Sequence, residues 1–284
     1  MANLQGRART DLPDLELGNA EQPFVKLPDS PPGTVSNGNS KVPAGAGKAS
    51  SSLRENAKHV LKHLNGQRAA LPCSPNVGWQ RSRTTRQRRW ESLGQVGATV
   101  WLTGLPGAGK STIAGAVEER LVAVGQSAFL LDGDNLRHGL NGDLGFDEQA
   151  RGENVRRTAH VARLFAESGT IALVGLVSPY SADRKEAAAM HAAVELDFIE
   201  VFVNAPLELC EQRDPKGLYA RARAGELCGF TGVGAPYEAP AQPDLVLSPC
   251  EETVQDEADR VLEVLAARGL IANGPWATQR VRRR

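Results

Sequence analysis

Residues 98–111 read ATVWLTGLPGAGKS, and this stretch constrains the fold more than any other part of the chain. A six-residue apolar run has strand length and strand composition. A glycine-rich turn follows at once. From Ser111 to about Val124 the apolar residues recur at helical spacing, and Gly125 closes the segment. A strand that turns within a few residues into a helix belongs to a βα unit, in which the helix packs back on the sheet. The turn, Gly104 to Ser111, fits G-x-x-x-x-G-K-[ST] without a mismatch. Its glycines let the backbone come close to phosphate oxygens and offer them N–H donors, and the helix adds its positive end. In such a loop the lysine, Lys110, reaches the outer phosphates, and the hydroxyl of Ser111 is a ligand for Mg²⁺. Gly104, Leu105, Pro106, Gly107, Ala108, Gly109, Lys110, Ser111 and Thr112 are therefore the expected binding residues for a nucleoside triphosphate with Mg²⁺, a pattern shared by kinases, GTPases and ATP-driven motors. A second glycine-rich stretch, PAGAGK at 43–48, has no strand before it and is set aside.

The alternation continues downstream. SAFLL, TIALVGLV, FIEVFV and DLVLS have strand length. Between and after them lie ENVRRTAHVARLFAES, SADRKEAAAMHAAV and EETVQDEADRVLEVLAARG, at helical period. Val155, Ala159, Ala162 and Phe165 share one helix face, and Ser181 is the expected N-cap of the following helix. Five strands alternating with helices predict an α/β, three-layer fold with a parallel five-stranded core sheet. The first 75 residues differ. They are rich in Pro, Gly and Ser, poor in large apolar groups, and read as a disordered extension. Within them a short amphipathic stretch carries His59 and His63 four apart, read as a solvated helix face. WQRSRTTRQRRW, Trp79 to Trp90, with five arginines, reads as a solvated connector, and 271–284 as a basic, flexible tail. The expected catalytic domain is thus 76–270.

Composition removes whole classes of function. Lys+Arg and Asp+Glu both count 33 in 284 residues, so the mean surface field gives no reason to expect nucleic acid or anionic lipid as partner. No run has the length of a membrane span, and the N-terminus has no apolar core of a secretory signal. Cys73, Cys210, Cys228 and Cys250 lack metal-site or disulfide spacing. The reading is a reduced, cytoplasmic protein, with a plastid as the alternative if the extension is a transit segment.

A phosphate loop does not say what receives the phosphate. No guanine-reading N-K-x-D is present. The acceptor side is sought where open α/β sheets bind ligands, at the carboxyl ends of the strands. SAFLL ends in LDGDNLRHGLNGDLGF, Leu131 to Phe146. Asp132 is placed to hold an acceptor hydroxyl, since a loose phosphoryl-transfer transition state asks mainly for positioning. Asp134 is placed at a water of the metal shell. Arg137 and Arg151 are guanidinium forks for an anionic acceptor, whereas Arg156 and Arg157 fit a solvated helix face. Phe146 between them suits a purine.

Together GATVWLTGLPGAGKSTIA, LDGDNLRHGLNGDLGF, RGENVRRTAHVARLF, VSPYSADR, FIEVFVNAPLELCEQRDPKGLYARARAGELCGFTG and PYEAP resemble the adenylylsulfate kinase (APS kinase) family. The resemblance implies transfer of the γ-phosphate of ATP to the 3′-hydroxyl of adenosine 5′-phosphosulfate (APS), on a nucleotide-kinase fold, in a homodimer. It places Asp132 by that hydroxyl and Arg137, Arg151 and Asn154 on the phosphosulfate and ribose side. Phe146 and Phe230 flank the acceptor adenine, and Val177 and Ser178 stand where the family has an Ile-Ser pair in contact with APS. Ser178 matches the serine described in the family as a phosphoserine intermediate, although in-line transfer needs no enzyme nucleophile. Lys216 and Gly217 open a long irregular segment that the resemblance makes a mobile lid. The loop departs from many relatives at Pro106 and Ala108. Another small-molecule kinase, or a non-catalytic nucleotide-binding regulator, is the alternative reading.

Overall fold

The computed structural model describes residues 82–272. The expected disordered extension, the His59/His63 pair, Cys73, Trp79 and the tail from residue 273 lie outside the described residues. Five strands, β1 (Ala98–Thr103), β2 (Ala128–Asp132), β3 (Ile171–Gly175), β4 (Asp197–Val203) and β5 (Leu245–Leu247), form one parallel sheet in the order β2-β3-β1-β4-β5. Its eight helices, all among the described residues, are α1 (Arg86–Leu93), α2 (Lys110–Ala123), α3 (Gly133–Leu136, a single turn), α4 (Glu148–Ser168), α5 (Ser181–Ala192), α6 (Leu207–Arg213), α7 (Leu218–Arg223) and α8 (Val254–Ala267).

Side chains of a strand alternate between faces, and β1, buried along its whole length, splits the core in two. Val100 and Leu102 join Ile113, Val117 and Leu121 of α2 and Val261, Leu262 and Leu265 of α8. Trp101 points the other way, against Val155, Ala159 and Ala162 of α4 and Ala187 of α5. Each fully buried large aliphatic side chain here contributes about 1.5–3 kcal/mol. The sheet is covered on both faces, which is why its central strands read as unbroken apolar runs.

Helix ends follow local chemistry. The Asp147 carboxylate accepts from the Ala150 N–H at 2.9 Å, which starts α4 upstream of the Glu153 suggested by periodicity, and Gly169 ends it at φ 104°. α8 opens on a reciprocal box between Thr253 and Asp256. Two expectations are corrected. Tyr180, not Ser181, is the N-cap of α5, without a side-chain cap bond, and the Ser181 N–H is taken by Glu238 Oε2 at 2.7 Å. The arginine-rich connector is helical from Arg86. Thr85 caps it, Gly94 closes it at φ 67°, and Trp90 Nε1 donates to Ala166 O at 3.2 Å, docking α1 against α4. Among the described residues no helix is long and apolar enough to cross a membrane.

Candidate active site

The phosphate loop joins β1 to α2, and its glycines are required by contact as well as by backbone angle. A Cβ on Gly104 would lie 2.5 Å from the carbonyl oxygen of Val203, and Gly109 enters the helix at φ 108°. Lys110 is buried, and its ammonium donates to the carbonyls of Gly104 (3.0 Å) and Leu105 (2.8 Å). Burial pulls its pKa down to about 8, against the nearby Cys210, Asp132 and Asp134, which favour the charged form. A poorly hydrated ammonium at the mouth of a phosphate cradle gains more from an oxyanion than one in open water.

The register aligns Asp132, at the end of β2, with Gly175, at the end of β3. Asp132 is buried. Its Oδ1 accepts from the N–H groups of Asp134 (2.9 Å) and Asn135 (3.2 Å) and so caps α3. Its Oδ2 accepts from the hydroxyl of Ser111 at 2.5 Å. The acidic turn is therefore helix cap and site wall at once. A hydroxyl and a carboxylate oxygen side by side fit Mg²⁺, which takes one or two protein oxygens and keeps waters or phosphates on the rest of its shell. Gly175 leaves room there: a Cβ on it would stand 3.9 Å from both Ser111 Oγ and Asp132 Oδ2. Asp134, expected on the metal side, is ion-paired instead with Lys216, both side chains largely exposed.

Arg137, Phe146 and Arg151, the residues expected on the acceptor side, come together on one wall of the cleft. The Arg137 guanidinium lies over the Phe146 ring at 4.2 Å from its centroid, and that of Arg151 at 5.8 Å. Arg137 donates to Leu144 O at 2.8 Å, and Arg151 to Phe146 O at 2.7 Å and to Gly229 O at 3.1 Å. Both guanidinium pKa values are lowered by burial, and that of Arg137 further by Arg151, so two cations share this wall. Phe146 is 63% exposed, an open ring face. Asn154 is buried, and its Oδ1 has no hydrogen-bond partner among the described residues. Arg156 and Arg157 are spent outside the site: both bond Glu153, and Arg157 also bonds Asp143. One cleft of about 1170 Å³ is lined by the phosphate loop, Asp132, Arg137, Phe146, Arg151, Asn154, Val177, Ser178, Lys216 and Phe230.

The family model for adenylylsulphate kinase matches residues 96–248. Adenylyl-sulfate kinases of Aeromonas hydrophila and Clostridium kluyveri are 49% and 47% identical to the chain. Each alignment spans 69% of this chain, and 98% and 96% of the relative. The chain belongs to the adenylylsulfate kinase family. Among solved structures it is similar to the Mycobacterium tuberculosis APS kinase CysC in complex with AMPPNP and APS, with a TM-score of 0.59 at 51% identity, over 60% of this chain and 98% of that one. The parallel sheet with helices on both faces is the fold of that family.

For an adenylylsulfate kinase, Ser178 carries particular interest, and its surroundings argue against a nucleophile. It is 3% exposed, at φ 38°. Its hydroxyl accepts from Trp101 Nε1 at 3.1 Å and donates to Thr103 Oγ1 at 3.0 Å, and its carbonyl accepts from Arg184 at 2.6 Å. Thr103 in turn bonds Val177 O (2.8 Å) and Tyr237 (3.0 Å). A hydroxyl engaged in both directions holds backbone in place. Sequence reasoning missed these partners: Trp101 and Thr103 were part of an apolar strand, and Arg184 and Tyr237 lie far away in sequence. It also missed Tyr219, which holds the segment after Lys216 to the loop by donating to Pro106 O at 2.9 Å and meets Phe230 edge-on. Gly217, at φ 65°, turns the chain into α7. The segment expected as lid is thus tied down at Tyr219 and Tyr237.

Proposed function

We propose that this chain transfers the γ-phosphate of ATP to the 3′-hydroxyl of adenosine 5′-phosphosulfate, giving 3′-phosphoadenylyl sulfate and ADP, as the sulfate-activating kinases it resembles do. The observation that carries the reading is the shared cleft. A complete phosphate loop and a wall with two guanidinium groups and an open aromatic face line one cavity, with Asp132 between them.

In this reading the loop N–H groups and Lys110 hold the outer phosphates. Asp132 is fixed by three donors, and Oδ2 receives the acceptor hydroxyl and orients its oxygen in line with the γ-phosphorus. Arg137, Arg151 and Asn154 bind the phosphosulfate and ribose, and Phe146 and Phe230 the adenine. Val177 and Ser178 form the floor. Mg²⁺, held by Ser111 with Asp132 behind it, neutralises charge on the phosphates when bound. Asp134, now paired with Lys216, would lie on the metal side and could hold a water of such an ion. Transfer is direct, without a phosphoserine. The family resemblance further implies a homodimer.

ADP release measured with APS, AMP, gluconate or no acceptor tests the activity. APS alone should drive rapid turnover and yield a product heavier by one phosphate. Turnover no faster with APS than without acceptor would overturn the assignment.

A further inference from the structure

Part of the cleft lining has no role in the acceptor reading. Arg213, the last residue of α6, donates to Ala108 O of the phosphate loop at 3.3 Å and to Pro249 O at 3.0 Å. It thereby ties Pro249, and the segment that leads from it into α8, to the phosphate loop, the end of the cleft to which the proposal below assigns the donor's nucleoside. Pro249, Glu252, Thr253, Val254 and Glu257 line this end. Glu257 is the unusual member. It belongs to the first turn of α8, is 1% exposed, and its Oε1 has no hydrogen-bond partner among the described residues. A buried carboxyl oxygen without a partner has lost its hydration without compensation, a cost that a ligand offering the missing partner removes.

We propose that Glu257 reads the base of the phosphate donor, its carboxyl giving a hydrogen to a ring nitrogen of adenine and accepting one from the exocyclic amine. This rests on the ATP-dependent reading above and adds the residue that selects the nucleobase. The protonated carboxyl has one donor and one acceptor, which match adenine's ring nitrogen and amine. The ionised carboxylate has acceptors only, which match the two adjacent donors of guanine. The surroundings favour the protonated form: burial and the carboxylate of Glu252 push the pKa up to about 7, against Arg213 and Arg260. Arg260 is engaged by Glu252 at 2.9 Å. From α2, Arg120 is paired with Asp259, and Lys110 faces the loop carbonyls. Adenine selectivity therefore weakens as pH rises through neutrality.

The test is calorimetric binding of the non-hydrolysable donors AMPPNP and GMPPNP, with Mg²⁺ and without acceptor, at pH 6.0 and 8.5. No phosphoryl transfer is needed, so the outcome is independent of whether APS is the acceptor. The wild-type preference for AMPPNP over GMPPNP should fall by about threefold to tenfold between the two pH values, the worth of one hydrogen bond. Glu257→Gln, which keeps one donor and one acceptor at every pH, should hold its preference constant. Glu257→Met, of similar volume, should lose it at both. A wild-type preference that does not change with pH, or a Met variant that discriminates as the wild type does, overturns the proposal.

Discussion

Replacing Glu257 by glutamine should make the protein more stable at alkaline pH, although no visible contact is added. In the folded chain the carboxyl keeps its proton up to about pH 7, chiefly because it is buried and secondly because Glu252 is near. In the unfolded chain it ionises at the ordinary glutamate value of 4.5. Between these values the folded state binds more protons than the unfolded state, so raising the pH withdraws stability until the folded group has ionised as well. Each pH interval of one is worth about 1.4 kcal/mol, so the full loss is about 3 kcal/mol, of which about 2.5 kcal/mol falls between pH 5 and pH 8.5. Glutamine has nearly the same shape and does not titrate. Urea unfolding of both proteins at pH 5 and pH 8.5, compared at equal m-value, isolates the effect from every other titrating group. The wild type should lose about 2–3 kcal/mol relative to Glu257→Gln on going to pH 8.5. A stability difference that is the same at both pH values would refute the reasoning.

Three further substitutions separate binding from chemistry. Asp132→Asn keeps an oxygen for the α3 cap but removes the carboxylate charge that the proposed mechanism places at the acceptor hydroxyl. Turnover should fall by about 10²-fold or more, with ATP affinity changed only a few-fold, read by steady-state kinetics and calorimetry. Arg137→Ala should raise the KM for APS by about tenfold to a hundredfold through lost charge-assisted bonds, and leave the KM for ATP nearly unaltered. Ser178→Ala strands the buried Trp101 N–H and should cost about 1–3 kcal/mol in thermal or urea unfolding. In the wild type, single-turnover labelling with γ-labelled ATP should show no phosphoenzyme; one that forms and decays at the turnover rate would reverse the assignment of direct transfer.

Much of this site was legible in the chain because its parts are local. The strand, loop and helix around Lys110 are contiguous, and so are Asp132, Arg137 and Phe146. Periodicity located all five strands and four of the helices, and their alternation predicted the parallel sheet. What escaped depends on distant pairs. Trp101 and Thr103 were indistinguishable from other strand residues until Ser178, 77 and 75 positions away, was placed on them. Glu257 looked like one more acid in a charged helix, because only burial in the cleft wall distinguishes it. α1 was missed for a different reason: its arginines hide an apolar period. Thr85 before it and Gly94 after it were the available signals, a cap at each end.

Backbone strain in this site is concentrated where the strands end. The sheet can bring β1, β2 and β3 to one edge, but strands that continued straight would fill the cleft. Each must therefore leave abruptly. β1 leaves through Gly104 at φ 152°, where a Cβ would strike Val203 O. β2 leaves through Asp132, whose side chain caps the turn that follows. After β3 the chain turns at Ser178, which holds φ 38° without being a glycine. A serine there costs about 1 kcal/mol or more and persists only if its surroundings over-determine it. Trp101, Thr103 and Arg184 supply that determination with one bond each, two to the hydroxyl and one to the carbonyl. The Thr103 that holds Ser178 also bonds Tyr237, and the Arg184 that holds it also donates to the carbonyl of Glu238. Ser178 and the Tyr237–Glu238 end of the segment after Lys216 are thus one hydrogen-bonded unit, built on the last residues of the central strand.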